Sequence, residues 1–248
     1  MAVNIIVGPG DPEGPPPAVP APSRRLVLLG VGTVGAGLAL GVGPAAAAPP
    51  TLRRGSRGAA VTTLQRDLAR LKYWCGAADG SFGHLTQQAV WAVQKTAGLT
   101  RDGVVGPRTY AAIARGVQPP RQKTSGYGFE VDLSLQVMTA TWNGTLRYIL
   151  NTSTGSGERY YSGGRWKTAT TPKGDFRMFR FHSSGWQSGP LGNLYRPAYY
   201  DRGWAIHGST SIPPYPASHG CCRLSVGAAD MLWSGGWMVP QRRVVIHS

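Results

Sequence analysis

Cysteine is scarce in this chain: Cys75, Cys221 and Cys222 are the three present among 248 residues. A disulfide framework needs an even and well-spread set, so the protein is not a disulfide scaffold, and at least one thiol stays unpaired within a monomer. Acidic side chains are also few, eleven Asp and Glu against twenty-six Lys and Arg, for a net charge of +15. The excess is spread along the chain rather than gathered into a basic tail or an Arg-rich helix, which points to an anionic polymer as partner. Nucleic acid is not supported, because helix-turn-helix, RNA-recognition and zinc-finger signatures are all missing.

The stretch 1–47 reads as an export signal rather than as part of a fold. A Pro-rich leader is followed by Ser23-Arg24-Arg25-Leu26-Val27-Leu28-Leu29, then a Gly/Ala/Val/Leu run to Val42, then Ala45-Ala46-Ala47-Ala48-Pro49-Pro50. A charged region, a weakly apolar core and small residues before a cut are the parts of a secretory signal, and the cut is expected near Ala47-Ala48. The paired arginines resemble a twin-arginine signal, an address read by a receptor. The run is glycine-rich and barely long enough to span, so no stable membrane span is expected after cleavage. Removing the segment takes two cations and two acids, leaving the exported part at +15. Outside a bacterium the abundant polyanion is the cell wall.

Residues 53–117 show helical spacing: Val61, Leu64, Leu68 and Leu71 form one apolar face, and Ala89, Val90, Val93 and Ala97 another. Two similar turns, Asp79-Gly80-Ser81-Phe82-Gly83 and Asp102-Gly103-Val104-Val105-Gly106, each precede a threonine by three positions, Thr86 and Thr109. Asp-Gly pairs suit tight turns with positive φ, so each repeat is a turn entering a helix. Cys75, beside Trp74, reads as a small buried hydrophobe. Residues 118–125, with two prolines just before a polar run, form a linker. Beyond it the rhythm changes to alternation: Phe129, Val131, Leu133, Leu135 and Val137 on one side, Glu130, Asp132, Ser134 and Gln136 on the other, predict a strand. Asn143-Gly144 predicts a hairpin, with "TLRYILNTSTGS" as its second strand. "GDFRMFRFHS", "WAIHGS" and "RRVVIHS" predict further strands, and 225–233 the one substantial helix of this half.

The segments "RRGSRGAAVTTLQRDLARL", "DGSFGHLTQQAVWAVQ" and "GLTRDGVVGPRTY" resemble a three-helix peptidoglycan-binding domain. In residues 126–248, Ile206-His207-Gly208, Ser218-His219-Gly220-Cys221-Cys222-Arg223 and "TPKGDF" resemble the L,D-transpeptidase catalytic domain, also called the YkuD-type domain. The fold class implied is multidomain α and β, a small three-helix peptidoglycan-binding domain followed by a mostly β catalytic domain. The resemblance implies Cys221 as nucleophile, His207 as its acid/base partner, and the Gly208 carbonyl as the group that orients the imidazole. It also implies that His219, Gly220 and Arg223 complete the loop around the reacting group.

The chemistry fits these residue types. A thiolate is the attacking form, a neighbouring imidazole stabilises it as an ion pair, and a third group fixes the imidazole tautomer. Gly220 allows a tight backbone, so that the Gly220 and Cys221 amides can face an oxyanion. Arg223 suits bidentate capture of a peptide carboxylate; a structural ion pair is the plainer alternative. Ser218 and Tyr200 are the other expected substrate contacts, Tyr200 chosen among Tyr195, Tyr199, Tyr200 and Trp204 for their nearness in sequence to His207. The motif register selects Cys221 over Cys222. Cys222 is expected to pack as a small apolar side chain, with a Cys75–Cys222 bridge or a vicinal disulfide as alternatives.

Three function classes are compatible with these motifs. The leading one is an exported peptidoglycan L,D-transpeptidase that is monomeric, needs neither metal nor other cofactor, and has stem peptides and glycan as partners. Water in place of the acceptor amine makes it an L,D-carboxypeptidase. A zinc peptidoglycan hydrolase using His207, His219, Cys221 and Cys222, and a non-catalytic wall-binding protein, are the remaining classes. The zinc reading lacks a second element with carboxylate or His-x-His spacing.

Overall fold

The computed structural model of the chain describes residues 48–122 and 125–248. The expected export signal, and Lys123 and Thr124 of the linker, lie outside the described residues. Among the described residues no helix is long and apolar enough to cross a membrane.

Helix α1 (Ala59–Arg70) buries Val61, Leu64 and Leu68 on one face. It is followed by α2 (His84–Thr96) and by α3 (Pro107–Ala114), which opens on a proline where an N–H is not needed. The internal echo in the sequence is an echo of hydrogen bonds. From α1, Gln65 Nε2 donates to Asp79 Oδ1 at 2.9 Å and Thr86 Oγ1 at 3.1 Å, while Gln65 Oε1 accepts from the Gly80 amide at 2.9 Å. From α2, Gln94 Nε2 donates to Asp102 Oδ1 at 2.7 Å and Thr109 Oγ1 at 3.4 Å, and Gln94 Oε1 accepts from Gly103 at 2.9 Å. Each buried glutamine thus ties its own helix to the next turn and to the start of the following helix, using both ends of its amide. Gly80 and Gly103 sit at φ 74° and 73°, where a side chain is strained.

The β half contains two sheets. In the first, β1 (Gly128–Asp132) lies between β2 (Val137–Trp142) and β12 (Arg243–His247); β3 (Thr145–Asn151) and β6 (Gly174–Arg177) flank them in the order β3-β2-β1-β12-β6. In the second, β11 (Cys222–Ser225) pairs parallel with β10 (Trp204–Ser209), followed by β9 (Gly192–Asp201) and β7 (Arg180–Phe181), with β8 (Trp186–Gly189) as a hairpin partner of β9. Helix α4 (Val226–Ser234) is capped by Ser225, whose hydroxyl accepts from the Ala228 amide at 3.2 Å. A separate hairpin, β4 (Arg159–Ser162) with β5 (Arg165–Thr168), turns at Gly163-Gly164.

The single strand expected over 129–137 is instead a tight β1–β2 hairpin. Asp132 Oδ1 accepts from the Ser134 amide, the Ser134 hydroxyl and the Leu135 amide, and Gln136 takes φ 59°. Alternation continues through the turn, but the backbone reverses because an aspartate satisfies the donors that a straight strand would offer to a neighbour. The polar side is buried as well: Glu130 is 5% exposed and its Oε1 accepts from His247 Nε2 at 2.8 Å.

The linker is not the sole connection between the halves. Val137, Leu146 and Ile149 belong to the core of the helices, while Met138, Ala140 and Leu150 of the same β2–β3 hairpin belong to the core between the sheets. Residues just after α1 pair with β3: the Ile149 amide donates to Lys72 O at 2.7 Å and the Trp74 amide to Ile149 O at 3.1 Å. Lys95 of α2 is 1% exposed. Burial pushes its pKa down to about 6, and Gln136 O at 2.8 Å, Thr152 O at 3.0 Å and Asn151 Oδ1 oppose that by accepting from Nζ.

Candidate active site

The register of β10 and β11 decides which of the adjacent thiols can act. The parallel pairing sets Ile206 opposite Cys222 and His207 opposite Arg223. Side chains alternate across a strand, so Ile206 and Cys222 share one face and His207 and Arg223 the other. Cys222 is 0% exposed in the core between the sheets, with its Sγ 3.7 Å from the Tyr200 hydroxyl. Burial pushes its thiol up to about 12. Cys221, one residue earlier, falls on the His207 side, is half-buried, and donates to Gly203 O at 3.7 Å. All three cysteines are free; Cys75 lies in the helical core, away from Cys222. Both disulfide alternatives are therefore absent.

His207 is 5% exposed, and its Nδ1 lies 2.8 Å from Gly208 O. A carbonyl only accepts, so Nδ1 carries the hydrogen and Nε2 presents its lone pair. Burial, with a contribution from the Arg223 charge, lowers the imidazole pKa to about 4, against the favourable carbonyl contact. Burial also raises the Cys221 thiol, opposed by the Ala205 amide and Arg223. Both shifts favour the neutral forms, thiol and imidazole, over the ion pair expected from the residue types.

The loop before the nucleophile is held by Ser218. Its buried hydroxyl accepts from the Gly220 amide at 2.9 Å and donates to Cys221 O at 2.7 Å. This changes two assignments. The Ser218 hydroxyl is spent on the loop's own backbone, and the Gly220 N–H is engaged by it rather than free. Gly220 is required by shape: at φ 134°, an added Cβ would lie 2.5 Å from Trp204 Nε1 and 2.7 Å from Thr170 O. Its carbonyl accepts from Thr171 Oγ1 at 2.6 Å, and Trp204 Nε1 donates to Thr170 O at 2.9 Å, closing the loop against 170–171.

Two further assignments move. The exposed His219 ring packs edge-on against Tyr160 of β4, centroids 4.8 Å apart. Tyr200 is 3% exposed, against Phe176 and Cys222 behind the strand, and so does not line a groove. The neighbouring Tyr199 takes the other face. Its hydroxyl donates to Gln187 Oε1 at 2.8 Å, Arg180 stacks 3.9 Å over its ring, and burial and Cys221 raise its pKa. Strand alternation was the signal that separates the two tyrosines, once the strand's register to His207 is known.

Arg223 is half-buried, and its main chain exchanges hydrogen bonds with Ser153 at 3.0 and 3.3 Å. Among the described residues no carboxylate lies within ion-pair distance of its guanidinium, so the structural ion pair is not formed. Among the described residues there is also no group of three or more His, Cys, Asp or Glu placed to hold a metal. The reason is visible in the directions taken: Cys222 faces the core and His219 faces Tyr160.

Comparisons with known proteins identify the family of both halves. Residues 57–113 match the model of a putative peptidoglycan binding domain, and residues 126–246 that of the L,D-transpeptidase catalytic domain. An L,D-transpeptidase structure (residues 123–326) from Xylanimonas cellulosilytica is 46% identical, with TM-score 0.77, covering 81% of this chain and 98% of that one. An L,D-transpeptidase from Stackebrandtia nassauensis is 20% identical with TM-score 0.46, over 78% and 93%. An N-acetylmuramoyl-L-alanine amidase, CwlL, from Bacillus licheniformis is 39% identical over 82 residues, 31% of this chain and 22% of that protein. The chain thus spans about a fifth of that curated relative.

Proposed function

Because the chain belongs to the L,D-transpeptidase family and carries a peptidoglycan-binding domain, we propose that it cross-links peptidoglycan through an acyl-enzyme on Cys221. The observation that carries this reading is the β10–β11 register, which sets His207 opposite Arg223, with Cys221 one residue before β11. The donor is a stem tetrapeptide. The Cys221 thiol attacks the diamino acid's own carbonyl, which forms the amide to the terminal D-alanine, as its proton passes to His207 Nε2, and the oxygen takes the negative charge. With the Gly220 amide engaged, the Cys221 amide is the loop's donor to that oxygen, a contact worth about 3 kcal/mol in a transition state. Collapse breaks the bond to the terminal D-alanine, whose nitrogen takes the proton from His207. An amine of a neighbouring stem then attacks the thioester, gives a proton to His207 and leaves the new amide, with the proton returning to Sγ. Arg223 holds a stem carboxylate. The protein acts as a monomer outside the cell, delivered by the 1–47 signal along the twin-arginine route.

The test is incubation of the protein from residue 48 onward with a tetrapeptide muropeptide, with mass spectrometry of the products and of the 218–223 peptide. Loss of D-alanine, a cross-linked product and an acyl adduct on Cys221 are expected. Cys221→Ala is expected to abolish all three and Cys222→Ala to keep them. Turnover surviving Cys221→Ala would refute the nucleophile, and a product lacking an amine acceptor would make the enzyme a carboxypeptidase.

A further inference from the structure

The loop 209–217 joins the base strand to the nucleophile loop, and it is poorly able to brace itself. Pro213, Pro214 and Pro216 remove three of its amides as donors, and beyond the Ser209 Oγ bond to Ser211 O at 3.2 Å its carbonyls take donors from outside the loop. Those outside donors come from two places. Ser153 Oγ donates to Tyr215 O at 2.8 Å, from the β half. The others reach across from the helices or from the seam: Gln88 Nε2 to Ile212 O at 3.3 Å, Asn151 Nδ2 to the same oxygen at 3.4 Å, and Arg101 Nη1 to Pro214 O at 3.0 Å.

The two amides are oriented by the buried amino group of Lys95. Lys95 Nζ donates to Asn151 Oδ1. With its oxygen on the lysine, Asn151 can offer only its NH2 group to Gln88 Oε1, which it does at 2.6 Å. Gln88, its own oxygen occupied, can offer only Nε2 to Ile212 O. Flipping either amide would set donor against donor. Gln88, Lys95 and Asn151 are all buried, where an unmade hydrogen bond is costly. The same segment reaches the nucleophile strand: Thr152 Oγ1 donates to Arg223 O at 2.9 Å, next to the Ser153–Arg223 backbone pair.

We propose that Lys95, Asn151 and Gln88, with Arg101 beside them, are positioning residues through which the helical module sets the 209–217 loop. The peptidoglycan-binding module on this view helps to set the segment that joins the His207 strand to the Cys221 loop. The kinetic part of the proposal rests on the function proposed above; the structural part does not.

The test compares wild type with Gln88→Met, Arg101→Met and Arg101→Lys, all carrying residue 48 onward. Gln88→Met is expected to speed hydrogen exchange of the 209–217 amides about tenfold, leaving exchange in β1 and β12 unchanged. It is expected to raise KM for the tetrapeptide about tenfold with kcat within about twofold, while iodoacetamide alkylates Cys221 at the wild-type rate. Arg101→Lys, which keeps a cationic donor, is expected to restore most of what Arg101→Met loses. Unchanged loop exchange in both folded methionine variants would overturn the proposal. So would a fall in kcat that tracks global stability, which marks a purely structural role. If the wild type turns over no stem peptide, the proposed function fails, and exchange with alkylation still decides the loop.

Discussion

The depressed pKa of His207 makes stability and activity at acid pH a direct test of the neutral thiol–imidazole pair. The folded value of about 4 lies below the ordinary 6.5 that an unfolded chain shows. Between these values the unfolded state binds a proton that the native state does not, so unfolding is favoured as pH falls. The stability present above pH 6.5 is therefore lost progressively down to pH 4, by about 3 kcal/mol from this residue alone, and the loss levels off below. His207→Asn removes the titration while keeping an N–H that can donate to Gly208 O. Urea denaturation followed by tryptophan fluorescence, at pH values from 7.5 to 4, should show wild type losing about 3 kcal/mol more than this variant. In the same window kcat/KM should keep its neutral-pH value until pH nears 4, since the base stays unprotonated. Parallel stability curves for the two proteins, or an acid limb centred at pH 6–7, would refute the reasoning. Thiolate absorbance near 240 nm at pH 7 would refute it separately, because a standing ion pair would then exist.

Other expected outcomes follow from named contacts. Ser218→Ala leaves the Gly220 amide and Cys221 carbonyl without their partner in a buried loop, and should cost about 2–3 kcal/mol by chemical denaturation with at least tenfold lower kcat. Gly220→Ala meets Trp204 Nε1 and Thr170 O at impossible distances and should lower stability by about 2 kcal/mol or more, with near-complete loss of Cys221 acylation by mass spectrometry. Arg223→Met should raise KM for a stem bearing a free carboxylate by about tenfold or more and leave the KM of an amidated stem almost unchanged, since among the described residues the guanidinium has no carboxylate partner to lose.

The sequence told most where a local rule has one outcome. Helical spacing located α1 and α2, Asp-Gly and Asn-Gly located turns, and the His-Gly and Ser-His-Gly-Cys segments located the site. What could not be read there depended on partners distant in the chain. Asp132 turned a long alternating run into a hairpin because it bonds its own backbone, a choice that period-2 patterning does not distinguish. Tyr200 was preferred to Tyr199, although a shift of one residue reverses the face. Gly220 was expected to lend an amide that Ser218 in fact occupies, and the roles of Gln65, Gln94 and Lys95 rest on contacts made 8 to 57 positions away. Composition hid these because a buried glutamine or lysine reads as surface until its partners are known.

The β2–β3 hairpin, apolar toward the helices on one face and toward the sheets on the other, constrains how such a chain can be recombined in evolution. A cut in the linker separates two genes' worth of sequence but not two surfaces. A lineage that exchanged the helical module for an unrelated binding domain would inherit Val137, Leu146 and Ile149 uncovered and the acceptors of Lys95 unanswered. The module and the hairpin are therefore expected to travel together, and shuffling should be found at the 1–47 side of the helices rather than between the halves.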